Sequence, residues 1–225
     1  MNRTIILLCI FLKVFLITDI FLSQNQVDFR GLSTVFIDFR VSSRMSVQCM
    51  SNALLTNDFR ELGVAFFDGG LKYRYNKLLG INGNYRFMLN RNLNNFYDNR
   101  HLLYFDMDIA KSFKRWTWGG TIRTQTEFYD RFINGSRKPL IYNRTKTNLK
   151  YRLNYYLHPF AELEVFLPIN HPIRKKIDQF RFAIGTSYTL NDRLKLESYL
   201  QIRQQLNRST NNTFFLIAVN CFISL

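Results

Sequence analysis

Along most of the chain, hydrophobic and polar residues take turns one by one. In Tyr104–Phe128, YFDMDIAKSFKRWTWGGTIRTQTEF, Phe105, Met107 and Ile109 are apolar while Asp106 and Asp108 lie between them. After Lys114-Arg115 the phase reverses: Trp116, Trp118, Ile122 and Phe128 alternate with Thr117, Arg123, Gln125 and Glu127. Successive strand residues point to opposite faces, so a period of two predicts strands with unlike sides. The same alternation predicts strands over 35–49, 64–75, 79–89, 103–113, 116–128, 145–155, 160–167, 179–190, 194–205 and 213–225.

The connections fall into two classes that take turns. Short ones lie at Asn76-Lys77-Leu78, Lys114-Arg115, Tyr156–Pro159 and Asn191-Asp192-Arg193; long ones lie at 50–63, 90–102, 129–144, 168–178 and 206–212. Tight turns on one side and longer loops on the other are how transmembrane, antiparallel, up-and-down β-barrels are built. Residues 35–49 hold one phase throughout, through Val35, Ile37, Phe39, Val41, Met45, Val47 and Cys49. Read as one strand, they give a ten-strand barrel with both chain ends on the short-turn side. A tight turn at Ser42-Ser43-Arg44 would instead require another strand from residues 24–32 and give twelve.

Charge separates the two faces. On the apolar parity of these segments the one charged residue is Lys111, near a turn, where its stem can snorkel. On the other parity stand the residues of a predicted lumen charge network. Its cations include Arg40, Arg74, Arg86, Arg123, Lys150, Arg152, Arg181 and Arg203; its anions include Asp106, Asp108, Glu127, Glu162, Glu164 and Glu197. A soluble sandwich also alternates, but here every segment has an apolar face and none is set aside as an edge. Large aromatics near strand ends, Phe113, Trp116, Trp118, Tyr155 and Tyr188, fit an interfacial girdle. A Lys or Arg on a lipid face costs up to about 2–4 kcal/mol at mid-depth, so its exclusion from that face is what a membrane barrel requires.

Both ends of the chain carry targeting texture. MNRTIILLCIFLKVFLITDIFLSQ offers a basic Arg3, an apolar run and a small residue at Ser23, which predicts a signal peptide over 1–23 and a barrel domain over 24–225. The alternative is an uncleaved anchor. The closing stretch FFLIAVNCFISL resembles the C-terminal strand recognised by barrel-assembly machinery, with Leu225 in place of the usual aromatic.

The repeated hairpins LKYRYNKLLGINGNYRF and SYTLNDRLKLESYLQIR, with TIRTQTEFYDRF and TNLKYRLNYYL between them, carry a family resemblance. The mature chain resembles an uncharacterised family of short outer-membrane barrels of Bacteroidota, catalogued as a domain of unknown function. The resemblance implies a fold and a bacterial outer-membrane location, and no reaction.

Composition adds a strong basic balance, +15 formally with a pI near 10.0. The strand charges are of mixed sign and lie on the face placed inside, so nucleic-acid binding is not the reading. Basic pairs and triplets in the loops, Arg137-Lys138 and Arg174-Lys175-Lys176, suit lipopolysaccharide phosphates as a partner. Charges crowded into a narrow bore should pair, because an unpartnered buried charge is costly. The expected function is therefore a structural barrel, or a narrow anion-preferring pore or binding barrel, monomeric and without a cofactor. No catalytic constellation appears. His101, His158 and His171 are scattered, and a loop Ser–His pair would need His101 or His171 beside Ser136. Ser198 lies on the apolar parity without a predicted His neighbour. A lipid-acting acyl hydrolase or transferase and a soluble lipocalin-like carrier remain the alternatives.

Overall fold

The computed structural model describes residues 27–92, 96–129, 139–171, 176–207 and 212–225. The candidate signal segment 1–23, Ser136, Arg137-Lys138 and Arg174-Lys175 lie outside the described residues. The strands are β1 (Val27–Arg40), β2 (Met45–Thr56), β3 (Glu61–Arg74), β4 (Leu79–Arg91), β5 (Tyr97–Phe113) and β6 (Trp116–Tyr129). They continue as β7 (Leu140–Tyr151), β8 (Leu157–Pro168), β9 (Gln179–Thr189), β10 (Leu194–Gln205) and β11 (Thr213–Ser224). Each pairs antiparallel with the next, and β1 closes the barrel against β11 in parallel.

The barrel thus has eleven strands, where the alternation predicts ten. The segment 35–49 is a hairpin: β1 and β2 pair from Arg40↔Ser46 to Gly31↔Leu55 around the turn Val41-Ser42-Ser43-Arg44. Odd residues pair with odd residues in this register, so the apolar phase passes through the turn unchanged and hides it. The twelve-strand alternative also fails, because residues 27–32 continue β1 instead of forming a strand of their own. An odd count has a geometric consequence. The first strand starts on the long-loop side and the last ends on the short-turn side, which corrects the expectation that both ends share a side.

Four of the five short turns repeat one design: VSSRM, YNKLL, LNYYL and LNDRL, beginning at Val41, Tyr75, Leu153 and Leu190. In each, the first N–H donates to the fifth carbonyl, at 3.0, 3.1, 3.2 and 2.9 Å. The fifth N–H donates to the side-chain oxygen of Ser42, Asn76, Asn154 or Asn191, at 3.0, 2.8, 2.7 and 2.8 Å. The short side chain replaces a backbone acceptor, as in Asx and Ser/Thr turns. The connection that holds the third such turn spans 152–156, so His158 belongs to β8 rather than to a turn. Only Lys114-Arg115 is a two-residue turn, with Lys114 left-handed at φ 53°, and there the phase visibly flips.

On the opposite side, residues 57–60 make a tight connection inside the predicted 50–63 loop. Asn57, Asp58 and Phe59 are all left-handed, at φ 54°, 53° and 66°. Left-handed backbone costs a non-glycine residue roughly 1–2 kcal/mol, so this turn needs fixing from outside. Asp58 Oδ1 accepts from the Phe29 N–H at 3.2 Å, and the Asp58 N–H donates to Asp28 Oδ1 at 3.2 Å. The Phe59 ring covers Gly31, where a Cβ would come within 2.9 Å of Cδ1.

The wall is apolar outside and polar inside. Phe67, Leu71 and Phe105 are exposed while Asp68, one residue from Phe67, is only 2% exposed. Phe113, Trp116, Trp118, Tyr155 and Tyr188 all lie exposed toward the short-turn end. There Trp118 Nε1 donates to Thr147 Oγ1 at 2.9 Å, and the Trp116 and Tyr151 rings lie 4.7 Å apart. Tyr155 Oη donates to Asp192 Oδ1 at 3.0 Å, and that carboxylate raises the phenol's pKa.

The parallel closure is open to a direct test. Val35 and Cys221 are register partners on the outer face. With Cys9 and Cys49 replaced by Ser, Val35→Cys should crosslink to Cys221 through a short bifunctional thiol reagent. Phe29→Cys, which faces Phe215 six residues higher, should not. Equal crosslinking of both, read as gel mobility of the unfolded chain, would remove the proposed seam.

Candidate functional site

The interior parity of β3 to β10 brings charged side chains into one lumen, and the strand register decides who meets whom. Asp68 and Arg86 are cross-strand partners on β3 and β4, and Asp106 and Arg123 on β5 and β6. Each pair is a fork on a carboxylate: Arg86 Nε and Nη2 donate to Asp68 at 2.6 and 2.7 Å, and Arg123 does the same to Asp106. Two parallel bonds fix both planes as well as the charges. Tyr104 Oη donates to Asp68 Oδ2, and the Arg123 guanidinium lies 3.8 Å from the Tyr104 ring centre. Tyr104 therefore ties the two forks together.

The β7–β10 wall is organised around one carboxylate. Glu164 Oε1 accepts from Arg144 Nε and Nη2 at 3.1 and 2.6 Å, and Oε2 accepts from Arg181 Nη1 at 3.2 Å. Both guanidiniums also stack over Phe166, at 4.4 and 4.1 Å. Lysines replace arginines toward the short-turn end, and their pairs are looser. Lys72–Asp108 is 3.7 Å, Lys146–Glu162 3.6 Å, Lys195–Glu197 3.6 Å and Lys150–Glu197 3.1 Å. Near the long-loop end Arg100 meets Glu127 at 3.1 Å.

Between these walls lies a cavity of about 550 Å³. Its charged lining comprises seven cations (Lys72, Arg86, Arg123, Arg144, Lys146, Arg181, Arg203) and five carboxylates (Asp68, Asp106, Asp108, Glu162, Glu164). Each carboxylate has its partner, so two positive charges are in excess. One arises because Glu164 serves two arginines. The other is Arg203, which makes no ion pair among the described residues.

Of the residues marked by the sequence pattern, Arg40 and Arg74 are exposed at the short-turn rim, not in the lumen, and so is Arg152, which lies in the turn after β7. Asp68 and Tyr104 lie on the inward parity that the alternation predicts and join the network, whereas Arg100 and Arg144, which also hold it together, fall outside the predicted strands. Arg100 and Arg144 were hidden because β5 and β7 begin inside the predicted 90–102 and 129–144 loops. The alternation of Ile141, Asn143 and Thr145 with Tyr142, Arg144 and Lys146 was the available signal, weak because Asn and Thr stand on the outer parity.

The histidines are dispersed. His101 lies on the outward parity of β5 with Nδ1 2.7 Å from Tyr85 Oη, and His171 is buried just beyond β8. Ser198 is exposed on the outside of β10. Among the described residues no group of three His, Cys, Asp or Glu side chains is placed to hold a metal ion.

Residues 29–214 match the family described as "Protein of unknown function (DUF2490)". The chain belongs to that family. The match runs from near the start of β1 to the start of β11, so the DUF2490 region is the barrel wall itself. No curated protein matches the sequence. Among solved structures this DUF2490 barrel is similar to a NanC porin. The TM-score is 0.50 and the identity 10%, over 79% of this chain and 87% of that one. At that identity the likeness concerns the porin-like fold alone.

The forks and the lysine pairs should differ in their contribution to stability. Asp68→Ala strands the buried Arg86 and removes the acceptor of Tyr104, and should cost about 3–5 kcal/mol. Lys72→Ala breaks a longer, better hydrated pair and should cost less than about 1 kcal/mol. Urea midpoints of the refolded barrel in micelles measure both; equal losses would contradict the two-tier arrangement.

Proposed function

We propose that this protein is an outer-membrane barrel forming a narrow, anion-preferring passage. The host is a Gram-negative bacterium, of the Bacteroidota by the texture of its hairpins. The observation that carries the reading is the cavity lining, in which every carboxylate is matched and two cationic charges remain. A surplus of one sign inside a low-dielectric wall focuses the field along the bore and raises the local concentration of counter-ions. The outer wall supports the location. Phe67, Leu71, Phe105 and Phe113 are well exposed, and lipid can cover them where water would not. A closed ladder leaves no strand edge for the hydrocarbon region to meet.

The same reading makes the barrel a monomeric, non-enzymatic protein, placed by assembly machinery that reads its last strand. Basic residues at its loops would face lipopolysaccharide phosphates.

Two measurements test this. In planar bilayers under a KCl gradient, the reversal potential should take the sign of chloride permeation; a cation preference, or no conductance, would overturn the passage. In cells the protein should fractionate with outer membranes and migrate faster unheated than boiled on a gel. Recovery from the periplasm without detergent would overturn the location.

A further inference from the structure

Among the described residues, Arg203 is the one cavity cation whose position the ion-pair network does not explain. Its Nε donates to Oε1 of Gln201, two residues back on the same face of β10, at 2.5 Å. Gln201 is itself only 6% exposed, so this bond fixes the guanidinium plane. Neither Nη group has an acceptor among the described residues, and the side chain lines the cavity. The neighbour directly across the β9–β10 ladder is not an anion but Arg181. Like charges placed opposite each other destabilise a sheet. The nearest carboxylate on that wall, Glu164, already has both oxygens taken by Arg144 and Arg181. On the other flank Arg203 faces Phe214, whose ring carries Arg30 at 3.6 Å, and Arg30 in turn pairs with Asp28 at 2.7 Å.

A cation held in plane, turned into a cavity and set against another cation does not strengthen the wall. It presents an unused pair of donors whose spacing matches two oxygens of a carboxylate or phosphate. We propose that Arg203 is the anchor of a lumen binding site for one oxyanion group, carboxylate or phosphate, of a small solute. Arg181, its cross-strand partner and one of the two arginines that share Glu164, supplies the second positive neighbour. A cavity of about 550 Å³ admits a small organic anion and excludes a polymer. The inference rests on reading the lumen as anion-preferring, but not on whether ions pass through it.

The charge arrangement also separates this role from a structural one. Removing Arg203 breaks no ion pair and relieves a like-charge contact, so Arg203→Gln should fold with an unchanged or slightly higher thermal midpoint. Arg144→Gln, which strips Glu164 of its two-pronged partner, should lower it. Titration calorimetry on the folded barrel in micelles would use succinate and glycerol 3-phosphate as probes, with glycerol as the uncharged control. At least one anion should bind wild type and glycerol should not. Affinity should fall at least tenfold in Arg203→Gln and be partly retained in Arg203→Lys. The better of the two probes tells carboxylate from phosphate. Undiminished binding to Arg203→Gln, no binding of either anion to wild type, or failure of Arg203→Gln to fold would each overturn the site. Chloride selectivity in bilayers alongside any of these results would leave the passage standing, and its loss with binding intact would do the reverse.

Discussion

Closure of the hydrogen-bonded sheet is the constraint on which everything else in this molecule rests. Each strand has two paired neighbours, including β1, which finds its second in β11. Once the ring is complete, inside and outside are fixed for every residue at once, because side-chain direction alternates along each strand. The barrel is narrow, so charges sent inward by that alternation are forced to within a few ångströms of one another. The ion-pair network follows from the closure and the sequence parity together. Burying a charge is costly, and the forks at Asp68 and Asp106 show how the cost is offset: two short bonds per pair, with an aromatic ring on the open face of the guanidinium.

The arginine and lysine tiers divide the lumen by hydration. Arginine, with its planar and weakly hydrated head, occupies the more enclosed positions and makes fixed geometries. Lysine, a compact and strongly hydrated charge, takes the wetter positions toward the short-turn mouth, where pairs of 3.1–3.7 Å suffice. Arg144 and Arg181, which share the single Glu164, and the unpaired Arg203 opposite Arg181 depart from this balance, and they give the bore its sign.

Much of this was legible in the sequence, and the parts that were not have physical causes. Parity told the outer wall from the lumen: Phe105 and Met107 face out, Asp106 faces in, and the flip after Lys114-Arg115 is a two-residue hairpin. The strand count was hidden because a four-residue turn preserves parity, so VSSRM looks like uninterrupted strand. Its likeness to YNKLL, LNYYL and LNDRL was the signal that could have exposed it. The alternation fades before the long-loop mouth, where polar residues on the outer parity blur it, and so leaves Arg100 and Arg144 outside the predicted strands. Pairing partners were not legible at all. Which carboxylate meets which cation depends on register, and register is set by turn lengths and by the bulge at Gly63 rather than by composition.

The repeated turn has a consequence for how such barrels can change size. Because VSSRM-type corners return the chain with the same residues facing out, each two-strand unit they join is a self-contained cassette. Such a unit can be copied or deleted without rewriting the faces of its neighbours, while the circumference grows or shrinks by two strands. The corner at Lys114-Arg115 reverses the numerical parity but not the faces, since Trp116 and Trp118 still point outward and Arg123 inward, so the hairpin it joins is a unit of the same kind.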